Sequence, residues 1–257
     1  MISNSNNIKP TISIIAAAYN CGNTIESSIL SVLPQLSEAI EFIIIDGGSR
    51  DNTIDIIKKY ENHLAFWTSE PDQGIYDAWN KAIIKSKGTF IAFIGLDDYL
   101  SENYASAYLS IAHEDPKIDF ISSKMIINNS QKTIFGYPWK WQSFKKQMNV
   151  VHPGSLHNRS LFETYGMYSM DFKIAGDYEF LLRIGNKLNT KFINVPTVIF
   201  SLEGVSNTKL FQLAKEIRKA KLKNKSRSIL MINIEFIMRY TIAILSTIKK
   251  RIKRKKN

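Results

Sequence analysis

Thr89 to Leu100 reads TFIAFIGLDDYL: an apolar run that stops at a glycine, with two adjacent carboxylates, Asp97 and Asp98, just behind it. A short apolar run without alternation predicts a strand buried on both faces, as in a parallel sheet. Polar residues that follow such a strand lie beyond its carboxyl end, where open α/β sheets take their ligands. The same pattern recurs upstream. Thr11–Ala18 (TISIIAAA) predicts a strand, Asn20–Asn23 a polar turn, and Thr24–Leu33 a helix that stops at Pro34. Glu41–Ile45 (EFIII) predicts a second strand, ending at DGGSRDNT before a helix from Ile54 to Tyr60. Phe66–Ser69 predicts a third strand and Gly74–Lys87 a helix. Strand, turn and helix repeated in this way imply right-handed crossovers, hence an α/β fold with a doubly wound, mostly parallel sheet flanked by helices. Further on the regularity weakens. Phe120–Ile127 and Phe192–Phe200 predict strands, Ala175–Lys187 predicts a helix, and the aromatic, basic stretch Phe135–Met148 predicts a lip or loop.

Composition bounds the function. With 257 residues, 44% hydrophobic, and only 12 Gly and 7 Pro, the chain is neither disordered nor collagen-like and can bury a sizeable core. A single cysteine, Cys21, excludes a disulfide framework and a Cys-rich metal site. The opening MISNSNNIKP lacks the charged and apolar regions of a secretory signal, so an intracellular chain is expected. The net charge of +11 is uneven: from Lys209 onward sixteen Lys/Arg face two acids, whereas residues 1–208 carry 18 basic and 21 acidic groups. A basic body would suit nucleic acid; a basic tail suits a local surface contact, and no nucleic-acid partner is expected. The division expected is therefore a folded domain over 1–208 and a basic helical tail over 209–257.

Within that tail Ile229–Ile248 (ILMINIEFIMRYTIAILSTI) is densely apolar between basic flanks. Glu235 and Arg239 stand four apart and can pair on one helical face. Each charge costs about 2.5–3.5 kcal/mol at the centre of a bilayer. A helix lying in an anionic membrane interface is preferred over a span, its Lys/Arg gaining about 1 kcal/mol each from the headgroups. The plainer alternative is a helix packed on the protein or on a second copy.

Three polar clusters fall at predicted strand ends: Tyr19-Asn20, Asp46-Gly47-Gly48-Ser49 and Asp97-Asp98. Neither GxGxxG nor GxxxxGK[ST] occurs, so a dinucleotide or Walker-type site has little support. Adjacent carboxylates at a buried strand end repel unless a cation or donors offset them; hard oxygen ligands suit Mg²⁺ or Mn²⁺ on a diphosphate. They would otherwise cap the helix near Asn103. Asp46 can accept from a ribose or base, or satisfy its own turn. Asp77, Asn80 and Lys81 share a helical face that is either functional or simply solvated. Asp177 opens an amphipathic helix, where spacing alone favours a cap over a general base.

Collectively these residues resemble glycosyltransferase family 2, the inverting transferases of GT-A fold. The resemblance runs from Ser13 to Asn207 through IIAAAYN, FIIIDGGSRDNT, SEPDQGIYDAWNKAIIKSKGTFIAFIGLDDYL, HPGSLHNRSLF, GDYEFLLRI and FSLEGVSN. It looks like the transferases of exopolysaccharide and O-antigen assembly. It implies a nucleotide-sugar donor, a UDP-sugar foremost, a divalent cation, and a saccharide or lipid-linked saccharide acceptor at the cytoplasmic face of the inner membrane. Asp46 would meet the base or ribose, with Tyr19 and Asn20 as the pocket wall. Asp98 would ligate the metal, and Asp97 would bind ribose or metal-bound water. Asp77, Asn80 and Lys81 would line the donor side, His152 would touch donor or acceptor, and Asp177 would be the general base. Gly136–Met148 is the expected lid. Two departures stand out: Gly176 occupies a place where Glu is frequent, and FSLEGVSN lacks the late His that many relatives offer the metal. Two other readings are a sugar-nucleotide nucleotidyltransferase, although AAAYNCGN has no Gly/Arg-rich triphosphate loop, and a non-catalytic membrane scaffold.

Overall fold

A computed structural model describes residues 9–202 and 208–256, with side chains through 248. Strands β1 (Ile12–Ala18), β2 (Ile40–Asp46), β3 (Phe66–Ser69) and β4 (Phe90–Gly95) form the parallel half of one sheet, in the order β3-β2-β1-β4. Helices α1 (Ile25–Val32), α2 (Thr53–Lys59) and α3 (Ile75–Lys85) make its crossovers. Beyond β4 the sheet is mixed. β8 (Leu156–Asn158) runs antiparallel between β4 and β6 (Phe120–Ile127), and β9 (Thr190–Phe200) lies parallel to β6. Two-residue strands β5 (Tyr99–Leu100) and β7 (Ile134–Phe135) edge β9 and β6. Among the described residues further α-helices are α4 (Tyr104–Glu114), α5 (Trp141–Phe144), α6 (Arg159–Tyr165), α7 (Gly176–Ile184), α8 (Leu210–Lys223) and α9 (Ile229–Lys256).

The period-2 alternation of the strands divides the core in two. On β1, Ile14 and Ala16 pack with Ile25 and Ile29 of α1 and Tyr104 and Tyr108 of α4. Ile15 faces the other layer, with Trp79 of α3 and Phe180 of α7. Because both faces are covered, the central strands read as unbroken apolar runs.

The expected lip at 135–148 is largely anchored. Phe144 is fully buried against the tilted rings of Trp139 and Tyr178, leaving Tyr137 as the exposed ring of this stretch. The basic tail is two distinct things. Helix α8 belongs to the catalytic body: it packs on α7, and its Lys223 pairs with Glu179, which is inaccessible to solvent. Helix α9 packs on α8, and the two charges of its apolar stretch 229–248 turn inward. Glu235 pairs with Lys221 and Arg227 rather than with Arg239, which lines the α8–α9 seam with Ile217 and Phe236. The opposite face exposes Leu230, Ile234, Ile237, Met238, Ile242 and Leu245. Ile229–Ile248 has the length and apolar composition to cross a membrane, yet it lies along the protein.

Candidate active site

The carboxyl ends of β1 and β2 are bound loop to loop. Asn20 takes a left-handed conformation (φ 48°), which Asn tolerates better than most residues. Its N–H donates to Ser49 Oγ at 2.8 Å, and its Oδ1 accepts from Arg50 N at 2.8 Å. Tyr19, beside it, is 64% exposed and stands free to wall a pocket. Asp46 is different. Its buried carboxylate accepts from Gly48 N (3.0 Å), Ser49 N (2.9 Å), Ser49 Oγ (2.5 Å) and Ser69 Oγ (2.7 Å). Three of these bonds go to Oδ2 and one to Oδ1, so Asp46 shapes the Gly47–Ser49 turn while Oδ1 keeps an accepting position. Asp72 closes this rim: its carboxylate lies against Gly47, where an added Cβ would come within 2.5 Å of Oδ2.

The acid pair follows β4 in a tight turn, with Asp98 N bonded to Gly95 O at 3.1 Å. Ser28 of α1 fixes that turn, donating to Asp98 O at 2.7 Å. Asp98 is 3% exposed, and its Oδ1 accepts from Ser201 N at 2.8 Å. Burial pushes its pKa up to about 7; the Ser201 bond opposes the shift and the Asp97 charge adds to it. The capping alternative is not realised, since α4 begins only at Tyr104. Instead both side chains converge over Gly95. A Cβ there would meet Asp97 Oδ1 at 2.6 Å and Asp98 Oδ2 at 3.0 Å, a cradle that only glycine leaves open. Two carboxylates converging at a buried strand end fit a hard divalent cation. Among the described residues no third His, Cys, Asp or Glu joins them. A cation here would complete its shell with phosphate and water oxygens, as Mg²⁺-type sites do. Residues 203–207 of FSLEGVSN lie outside the described residues.

Asp177 is the second residue of α7. Its Oδ1 accepts from Tyr178 N at 2.8 Å and lies 3.3 Å from the Tyr76 hydroxyl. That hydroxyl also accepts from Gly176 N (2.7 Å) and donates to Ile174 O (2.8 Å), so it plugs the start of the helix. Burial raises the Asp177 pKa to about 6; the bonds from Tyr178 and Tyr76 oppose the shift and the Glu216 charge adds to it. A carboxylate tuned toward neutrality in this way suits a general base. The Tyr76 ring also explains Gly176: a Cβ at 176 would lie 2.7 Å from two ring carbons. The ring fills the space that a larger side chain would need.

The four residues expected on the donor side all have partners within the protein. Asn80 spends its amide on a backbone clamp, with Nδ2 to Tyr168 O and Oδ1 from Tyr168 N, both at 3.0 Å. Lys81 pairs with Glu70 (2.8 Å) and Asp77 (3.5 Å), and Asp77 also accepts from Gln73 N at 3.0 Å. These three residues secure α3 and its entry. His152 is buried between Trp79 and Phe93, with Nε2 3.2 Å from Tyr168 Oη. Burial lowers its pKa to about 3, so it is a neutral core imidazole. Tyr76 and Ser28 went unread in the sequence. The one available signal for Tyr76 was Gly176, a missing side chain that some other group had to replace.

A mixed sheet in this strand order, with an acid pair behind the central strand and a carboxylate opening a helix downstream, defines a glycosyltransferase of GT-A type. Residues 13–173 match the profile of glycosyl transferase family 2, and the chain belongs to that family. It is 27% identical over 207 residues to a PGL/p-HBAD biosynthesis glycosyltransferase of Mycobacterium bovis, covering 77% of this chain and 80% of that protein. Among solved structures it resembles S. aureus TarS 1-349 in complex with UDP-GlcNAc (TM-score 0.67, 18% identity, 90% of this chain and 72% of that one). It also resembles the mannosyltransferase PcManGT from Pyrobaculum calidifontis in complex with GDP-Man and Mn²⁺ (TM-score 0.65, 16% identity, 89% and 70%).

Proposed function

We propose that this enzyme transfers a sugar with inversion from a nucleoside-diphosphate sugar, UDP-linked foremost, to a lipid-carried saccharide in surface-polysaccharide assembly. The observation that carries this reading is the convergence of Asp97 and Asp98 over Gly95, at the carboxyl-end rim of the sheet where α3 begins and its Tyr76 meets Asp177. The acceptor hydroxyl oxygen bonds to the anomeric carbon as the bond from that carbon to the diphosphate oxygen breaks. The electron pair leaves with the diphosphate, and the hydroxyl proton passes to Asp177. Asp98, with Asp97, would hold a divalent cation, Mn²⁺ or Mg²⁺, which when bound offsets charge growing on the leaving group. The solved relatives in complex with UDP-GlcNAc and with GDP-Man and Mn²⁺ support a donor of this class. Isothermal titration with UDP, GDP, dTDP and CDP, with and without Mn²⁺, tests it. One nucleotide is expected to bind only with metal; binding of none at millimolar concentration would remove the transferase reading of this site.

Helix α9 supports this reading of the acceptor and of the location. Over 229–248 its outward face is apolar and its two charges are paired or turned inward, and seven Lys/Arg follow Ile248. Such a helix suits a peripheral position on an anionic bilayer, at the cytoplasmic face of the inner membrane. In cosedimentation, the protein is expected to bind vesicles containing anionic lipid, less so at high salt. Ile237→Glu together with Ile242→Glu should lower that affinity by tenfold or more, an order-of-magnitude expectation from placing two charges in the lipid-facing surface. Equal binding of the double variant would overturn the membrane reading and leave catalysis untouched.

A further inference from the structure

Residues 173–175 lead directly into α7, and their backbone N–H groups point at one side chain. Oε2 of Glu216, on α8, accepts from Lys173 N (3.0 Å), Ile174 N (2.8 Å) and Ala175 N (3.0 Å). Its Oε1 accepts from Gln212 Nε2 at 2.9 Å, and the residue is 9% exposed. Three successive N–H donors on one carboxylate oxygen form an anion nest, and charge-assisted bonds of this kind fix geometry strongly. Two residues past this nest stands Asp177, its Oδ1 3.3 Å from the Tyr76 hydroxyl. The matched family profile ends at residue 173, so α8 lies beyond it. Glu216 is also the one acid in the basic run 209–228.

We propose that Glu216 is a positioning residue for Asp177: its carboxylate clamps the 173–175 backbone, so that α8 sets where the general base stands. The inference rests on the reading of Asp177 as the base. The groups that bear on Asp177 are Tyr76 from α3, Tyr168 from the segment before α7, Tyr178 on α7 itself and Glu216 from α8. Of these Glu216 contributes a negative charge, which holds the Asp177 carboxyl up.

The test compares wild type, Glu216→Gln, Glu216→Asp, Asp177→Asn and a surface control on the same helix, Lys215→Gln, as full-length enzymes with donor and Mn²⁺. Displacing a reacting group by about an ångström costs on the order of 100-fold. A 10- to 100-fold loss of kcat is therefore expected for both Glu216 variants, with donor KM within about threefold and Lys215→Gln unchanged. Removing the Glu216 charge should also move the acid limb of the kcat–pH profile of Glu216→Gln to lower pH. A purely structural role would instead lower thermal stability while leaving kcat per folded molecule and the acid limb in place. That result, or wild-type kcat in Glu216→Gln, overturns the proposal. Wild-type kcat in Asp177→Asn would overturn the base assignment itself, and the positioning role with it. Loss of activity in Asp177→Asn with none in Glu216→Gln rejects the positioning role alone.

Discussion

Asp177→Asn is expected to lower kcat by about 10²–10⁴-fold, the usual worth of a positioned general base, with donor binding retained. This corresponds to about 2.7–5.4 kcal/mol of transition-state stabilisation. Asn keeps an oxygen for Tyr178 N and so preserves the start of α7 while losing the site that takes the proton. Wild-type kcat should fall as pH drops through about 6, where Asp177 becomes protonated, and in the variant that limb should disappear. The stability readout runs in the opposite direction. The folded-state pKa lies above the ordinary value of 3.8, so the native state holds the proton more tightly than the unfolded chain. Its contribution to stability is complete below about pH 4 and is lost as pH rises through about 6. Thermal melts should therefore show Asp177→Asn at least as stable as wild type at pH 7.5. A variant that is both inactive and markedly less stable would point to a collapsed helix start rather than a lost base.

Asp98→Ala should abolish metal-dependent nucleotide binding and lower kcat/KM by about 10³-fold, since a cation at a developing phosphate charge is worth several kcal/mol. Asp98 is expected to be the more sensitive of the pair, because it is buried and oriented by Ser201 N, while Ser28 holds its backbone. Titration calorimetry with nucleotide and Mn²⁺ reads the loss directly. Undiminished metal-dependent affinity in this variant would move the cation site elsewhere.

Much of the architecture was legible because its cause is local. Buried strands β1, β2 and β4 must read as apolar runs, and each polar cluster has to follow the strand that presents it. Strand β8 and helix α6 were not legible: a three-residue strand, Leu156–Asn158, carries no periodicity, and its place between β4 and β6 is fixed by pairing across the sheet. The candidate site divides in the same way. Asp97, Asp98 and Asp177 stand at element ends where position in sequence gives position in space. Asn80 and His152 do not, because their partner, Tyr168, is 88 residues from Asn80 and 16 from His152. Side-chain chemistry alone cannot tell an amide that binds substrate from one that clamps a backbone. Glu216 shows the converse: an acid in a basic run looks like a solvated residue until the fold delivers three N–H groups to it.

The Tyr76 ring seated on Gly176 also constrains how this sequence can change. Neither position is free to drift alone. Any side chain at 176 would strike the ring, and a lost ring would take with it the hydroxyl that plugs the start of α7. Contacting positions of this kind are expected to be strongly non-additive. An acidic side chain at 176 is thus reachable only by an ordered path, in which residue 76 shrinks first and the helix start passes through a form supported by neither group.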